Sequence, residues 1–136
     1  ALAKEKSDKN PVYYTQYAYV RVANILKKAS EAFGAPKLSK KALDAIKLTH
    51  AERRLAVSLA RFPEVVTDIS RTFQVHQLTT YLIDITREFH SFYEVAPVMQ
   101  EKNVELRAAR TMICAAMYRV MSEGFDLLGI SKPQRM

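Results

Sequence analysis

A chain of 136 residues holds one domain with one sizeable core and is too short for two. Hydrophobic residues at 49%, charged residues at 26% and only 3 glycines exclude a disordered chain and lean toward helix. The formal charge of +7 favours a polyanionic partner, of which nucleic acid is the commonest.

Taken in chain order, the sequence is a series of helices divided by punctuation, with no strand-like alternation. Asn10-Pro11 reads as an N-cap followed by proline at the first helical position, where its missing N–H costs nothing. This helix runs through Tyr13, Tyr17, Val20 and Ile25 to the stop at Gly34-Ala35-Pro36. A basic connector, Lys37-Leu38-Ser39-Lys40-Lys41, leads into a short helical stretch from Ala42 to Leu48. Thr49-x-x-Glu52 is a capping-box pattern that starts a helix ending at Phe62-Pro63. Pro63 opens the next one, to about Phe73, with Glu64 and Asp68 in its early turns.

From His76 the apolar positions Leu78, Leu82, Ile85, Phe89 and Phe92 repeat at helical spacing until Val95-Ala96-Pro97. Asn103 caps a last helix in which Leu106, Ala109, Ile113, Ala116, Val120 and Leu127 are expected to form one buried stripe. Gly129 stops it, and Pro133 prevents resumption. The expected fold is all-α, an antiparallel bundle of about five helices. Residues 1–10 are polar and charged, read as a loosely ordered lead-in from an upstream unit, which leaves 11–136 as the helical domain.

The single cysteine, Cys114, excludes an internal disulfide framework and suits a reducing compartment. No apolar run approaches the roughly 20 residues that span a bilayer. Ala1-Leu2-Ala3-Lys4-Glu5-Lys6 lacks the order of a signal peptide, and a cytoplasmic piece of a longer protein is expected.

Catalytic chemistry is not expected within these residues. His50, His76 and His90 have no spacing that turns two of them toward one metal, and Cys114 falls among core positions of the last helix. Three scattered glycines cannot build a phosphate loop, so no cofactor is expected here.

Aromatic and basic side chains remain. Tyr13, Tyr14, Tyr17 and Tyr19 crowd the first helix, with Arg21 close behind and Lys27-Lys28 near its end. Spread over nearly two turns, the four tyrosines cannot all face one core. Two are expected to pack at the core edge, and the others offer flat faces on which unstacked RNA bases can sit. On composition and spacing alone, a small RNA-binding bundle and a protein-interaction module with a tyrosine-rich face both remain open.

The segment Asn10-Pro11-Val12-Tyr13-Tyr14-Thr15-Gln16-Tyr17-Ala18-Tyr19-Val20-Arg21 resembles the NPVYY-type entry into the anticodon-binding domain of arginyl-tRNA synthetases. Phe62-Pro63-Glu64-Val65-Val66, Phe89-His90-Ser91-Phe92-Tyr93 and Gly124-Phe125-Asp126-Leu127-Leu128-Gly129-Ile130 are similar to later segments of that family. Lys132-Pro133-Gln134-Arg135-Met136 is similar to its closing residues, so the resemblance runs through nearly the whole chain. Thr15, Tyr19 and Gln134 depart from the family pattern.

The resemblance implies a helical DALR-type domain of a class I ligase that joins arginine to its tRNA, using ATP with Mg2+ bound outside these residues. It implies arginine tRNA and the protein's own catalytic domain as partners, with a monomer expected. It nominates Tyr14, Tyr17, Arg21, Tyr93 and Met136 as anticodon-loop contacts. The aromatic rings would stack on splayed bases, Arg21 would donate to a base edge or phosphate, and Met136 would pack against a base. Lys27, Lys28, Lys40 and Lys41 would add sequence-independent phosphate contacts.

Overall fold

A computed structural model describes residues 10–136, and the expected loose order of the preceding segment lies outside the described residues. Among the described residues six helices follow one another: α1 Pro11–Phe33, α2 Lys40–Ala45, α3 His50–Ala60, α4 Phe62–Thr72, α5 His76–Val95 and α6 Val104–Leu128. The described residues contain no strand.

Local chemistry sets the helix ends. The Asn10 side chain accepts from the backbone N–H groups of Val12 at 3.0 Å and Tyr13 at 3.4 Å, satisfying two donors that α1 leaves open. The capping box at α3 is complete: Thr49 Oγ1 accepts from Glu52 N–H at 3.3 Å, and Glu52 accepts from Thr49 N–H at 2.6 Å. Asn103 caps α6 through the N–H groups of Glu105 and Leu106. At the far end of α6, Ile130 N–H reaches the Phe125 carbonyl and Gly129 N–H that of Asp126, with Gly129 at φ 69°. This paired closure reverses the chain back over the bundle.

Two expectations are corrected. The short helix begins earlier than expected, at Lys40, because Ser39 Oγ accepts from Ala42 N–H at 3.1 Å. Lys40 and Lys41 therefore form its first turn instead of an open linker. On α6 the buried stripe includes Arg110, Cys114, Met117, Met121 and Phe125; Ala109 is buried as expected, but Ala116 and Leu127 are exposed. The helix carries apolar residues on more than one side, and the bulkier side went inward.

α1 packs between α5 and α6, α3 lies across α5 and α6, and α4 leans on α3 and α5. Phe89, Phe92 and Phe125 are fully buried with Leu55, Leu82, Ile85, Met117 and Met121. Each such side chain stabilises the fold by about 1.5–3 kcal/mol relative to exposure. Gly124 lets α6 approach α5 closely, since a Cβ there would lie 2.8 Å from Leu82 Cδ2.

A buried ionic junction crosses the core. Arg110 donates to Glu52 at 2.6 Å, to Glu101 at 2.8 Å and to the Pro97 carbonyl at 3.0 Å. Glu101 in turn accepts from Asn103 N–H at 3.0 Å. One guanidinium thus joins the start of α3, the α5–α6 connector and α6 itself. Among the described residues no helix is long and apolar enough to cross a membrane.

Candidate nucleic-acid interface

The face of α1 that carries Tyr17, Arg21, Asn24 and Lys28 has spacings of three, four and seven residues, so these side chains share one side of the helix. The last turn of α5 brings Tyr93 against this face, the α5–α6 connector brings Met99 and Gln100, and the segment after α6 brings Met136. Together they surround an open cavity of about 450 Å³.

Tyr93 is fixed by its neighbours. Phe92 beside it is fully buried, which anchors the turn, and the Tyr93 ring stacks on Phe89 with centroids 5.8 Å apart. The Arg21 guanidinium lies 5.3 Å from the Tyr93 ring centroid, a cation–π arrangement. Its other contact is His90 Nδ1 at 3.3 Å; since arginine can only donate, that ring nitrogen accepts. Burial raises the Tyr93 phenol above its ordinary pKa, while a backbone hydrogen bond with Val98 and the charge of Arg21 pull the other way. At neutral pH the ring therefore stays uncharged.

Four of the five anticodon-loop nominees, Tyr17, Arg21, Tyr93 and Met136, line this cavity, and Lys28 joins them. Tyr14 does not line it. That side chain is half-buried one turn earlier, with its ring 5.6 Å from His90, and adjoins the site through the histidine that Arg21 touches. Lys27, Lys40 and Lys41 are exposed and lie outside the lining, the last two on α2, which packs on α6.

Tyr17 is the tyrosine of α1 left exposed, at 47%. Tyr19 is buried, stacked on Tyr118 at 5.0 Å with the two hydroxyls 3.1 Å apart, and its pKa is pushed up to about 12, first by burial. Tyr19 thus belongs to the core. Asn24, Met99 and Gln100 were missed from sequence. Asn24 was detectable, three residues beyond Arg21 on the same face; the connector pair carries no comparable signal.

Cys114 is fully buried and its thiol is pushed up to about 12 by burial, which makes it inert. Among the described residues no three His, Cys, Asp or Glu side chains gather as metal ligands.

The fold is thus an all-α bundle whose first helix borders an open cavity lined by aromatic and basic side chains. A family model for the DALR anticodon binding domain matches residues 15–136, and the chain belongs to that family. The arginine–tRNA ligase of Leptospira interrogans is 36% identical over 136 residues, covering 99% of this chain and 22% of its own. That of Desulfosudis oleivorans is 39% identical over 139 residues, covering 99% of this chain and 24% of its own. The solved arginyl-tRNA synthetase of Thermus thermophilus superposes with a TM-score of 0.78 at 33% identity, over 96% of this chain and 22% of that one. The chain thus spans about a fifth to a quarter of the length of the curated relatives it matches.

Proposed function

We propose that this chain is the anticodon-reading part of an arginine–tRNA ligase, with residues 11–136 as the reading domain and the preceding segment leading from the catalytic body. The single observation that carries the reading is convergence. Tyr17 and Arg21, Tyr93, and Met136 come from three distant stretches of sequence and surround one cavity.

In this reading an anticodon base enters the cavity and stacks near Tyr93 and Tyr17, while Arg21 donates to a base edge or phosphate. Tyr14 extends the aromatic surface through His90, and Lys28 meets the backbone, with Lys27, Lys40 and Lys41 as more distant phosphate contacts. Identifying the loop places the acceptor end of arginine tRNA in the catalytic domain of the same protein, where ATP and Mg2+ drive its joining to arginine. A cytoplasmic monomer fits this role.

The test is an NMR titration of the chain with the anticodon stem-loop of arginine tRNA, beside the same loop changed at its middle anticodon base. Stronger binding of the first loop is expected, with shifts gathered at Tyr17, Arg21, Tyr93 and Met136. Equal binding of both would leave a generic RNA-binding bundle, and no binding at low salt would favour a protein partner.

A further inference from the structure

We propose that Gln16 is a positioning residue: it latches the segment after α6 onto α1 and so holds Met136 at the cavity. The contribution of Met136 to RNA binding rests on the anticodon reading above; the latch itself does not.

The segment after α6 lacks secondary structure, and the residue at its end half-exposes a flexible side chain, Met136, at 49%. Such a segment is ordinarily mobile unless something ties it down. Here two consecutive residues are tied to two different helices. Gln16 Nε2 donates to the Ser131 carbonyl at 2.9 Å and to Ser131 Oγ at 3.0 Å, linking α1 to a residue 115 positions away. Lys132 Nζ meets the Asp126 carboxylate at 2.8 Å and Ser122 Oγ at 3.3 Å, linking the next residue to α6. Gly129 has already turned the chain toward α1, so the pair fixes both its direction and its register.

Distances along the helix explain why this anchorage delivers Met136. From Gln16 to Asn24 along α1 is about 12 Å at 1.5 Å per residue. Five residues from Ser131 to Met136 reach at most about 17 Å when extended. A tail pinned at Ser131 therefore has enough length to reach the Tyr17–Asn24 face and little to spare. Released at Ser131, the segment would be held to the bundle only through the long Lys132 side chain, in an exposed ion pair that constrains its direction little, so the probability of finding Met136 at the cavity would fall.

The chemistry also dictates which residue can serve. A backbone carbonyl only accepts, so the group that faces it must be a donor. Glutamine supplies two N–H bonds from one nitrogen and meets the carbonyl and the hydroxyl together. Glutamate has the same shape, offers no donor when ionised, and would set a carboxylate against the Ser131 carbonyl. Leucine keeps the helix propensity and similar bulk with no polar group.

The free protein, labelled with 13C at its methionine methyls, gives the primary test. The chain has 5 methionines, and Met136→Leu assigns the one of interest. In the unsubstituted chain the Met136 methyl should be shifted by nearby rings and show cross-peaks to Tyr93. In both Gln16→Glu and Gln16→Leu it should move to the random-coil position and lose those cross-peaks. Met117 and Met121, fully buried in the core, should stay where they are, which controls for unfolding. A Met136 methyl that keeps its position in Gln16→Leu while the core methyls also hold would overturn the latch.

Binding of the arginine anticodon stem-loop gives the second readout. Gln16→Leu and removal of Met136 should each weaken it roughly tenfold, and the two together no further, since both remove the same contact. Additive losses would count against the latch, because Gln16 would then act independently of Met136. An unsubstituted chain that binds no stem-loop would sink the anticodon reading, and the methyl signals would still decide the latch.

Discussion

Tyr93 and Phe73 show two ways in which a single residue departs from ordinary packing. Tyr93 keeps one part of its ring on Phe89 and offers the rest to the cavity beneath Arg21. Replacing it by alanine should weaken binding of the cognate stem-loop by about 1–3 kcal/mol, read by calorimetric titration, and near-equal affinity would remove it from the site. Phe73 closes α4 in the left-handed region at φ 55° and is 85% exposed, so its ring contributes little packing to offset the strain. Phe73→Asn should raise stability by about 1 kcal/mol, seen as a higher urea midpoint at unchanged slope. Neither the strain at Phe73 nor the setting of Tyr93 was legible in sequence, since backbone handedness and exposure at helix ends depend on tertiary placement. The resemblance still pointed to Tyr93.

Most helix boundaries set by local chemistry were legible, the Ser39 cap of α2 being the exception. Asn10, Thr49 with Glu52, Asn103, Gly34 and Gly129 all act within a few residues of themselves, and all end or begin helices as their types demand. The buried face of α6 was misjudged because periodicity names a stripe without saying which stripe lies deepest. Arg110 deepened the error: an arginine argues for solvent until its partners are known, and Glu52 and Glu101 lie 58 and 9 residues away. Arg110→Ala would leave the fully buried Glu52 carboxylate without its counter-charge. A loss of about 3–5 kcal/mol in chemical denaturation is expected. Because Glu52 also caps α3, hydrogen exchange at the first amides of α3 should accelerate in the same variant.

Across the whole molecule, charge and topology decide what the sequence could only suggest. The excess of 21 Lys and Arg over 14 Asp and Glu was legible at once, whereas the meeting of α1, the end of α5 and the last residue exists only in the folded chain. Lys28 alone of the four nominated lysines lines the cavity, so Lys28→Ala should lower the salt slope of stem-loop binding by about 1. Lys40→Ala should change it less, and equal effects would place the RNA backbone across α2 as well. Stability should also respond to alkali. Tyr19 and Tyr81 both rise from 10.0 to about 12 in the fold, chiefly through burial. The unfolded chain releases these protons first, so their contribution is fully present below pH 10 and lost as pH rises toward 12. Denaturant melts through that window should show a steady fall, with ultraviolet titration following phenols that ionise above pH 10.

Arg21 gives the cavity a resident before any visitor arrives. Its guanidinium already leans on His90 and occupies the neighbourhood of the Tyr93 ring, a cation–π contact of a kind worth about 0.5–1 kcal/mol at an exposed site. An incoming ring therefore gains only the difference between its own stacking and the arginine's. A flat apolar solute evicts the resident and offers it nothing in return, so its gain is small. In the anticodon reading proposed above, a nucleobase would bring acceptors that rehouse the displaced cation, and so would keep both interactions. In that reading discrimination would begin at the doorway, with the question of whether the newcomer can accommodate the occupant it moves.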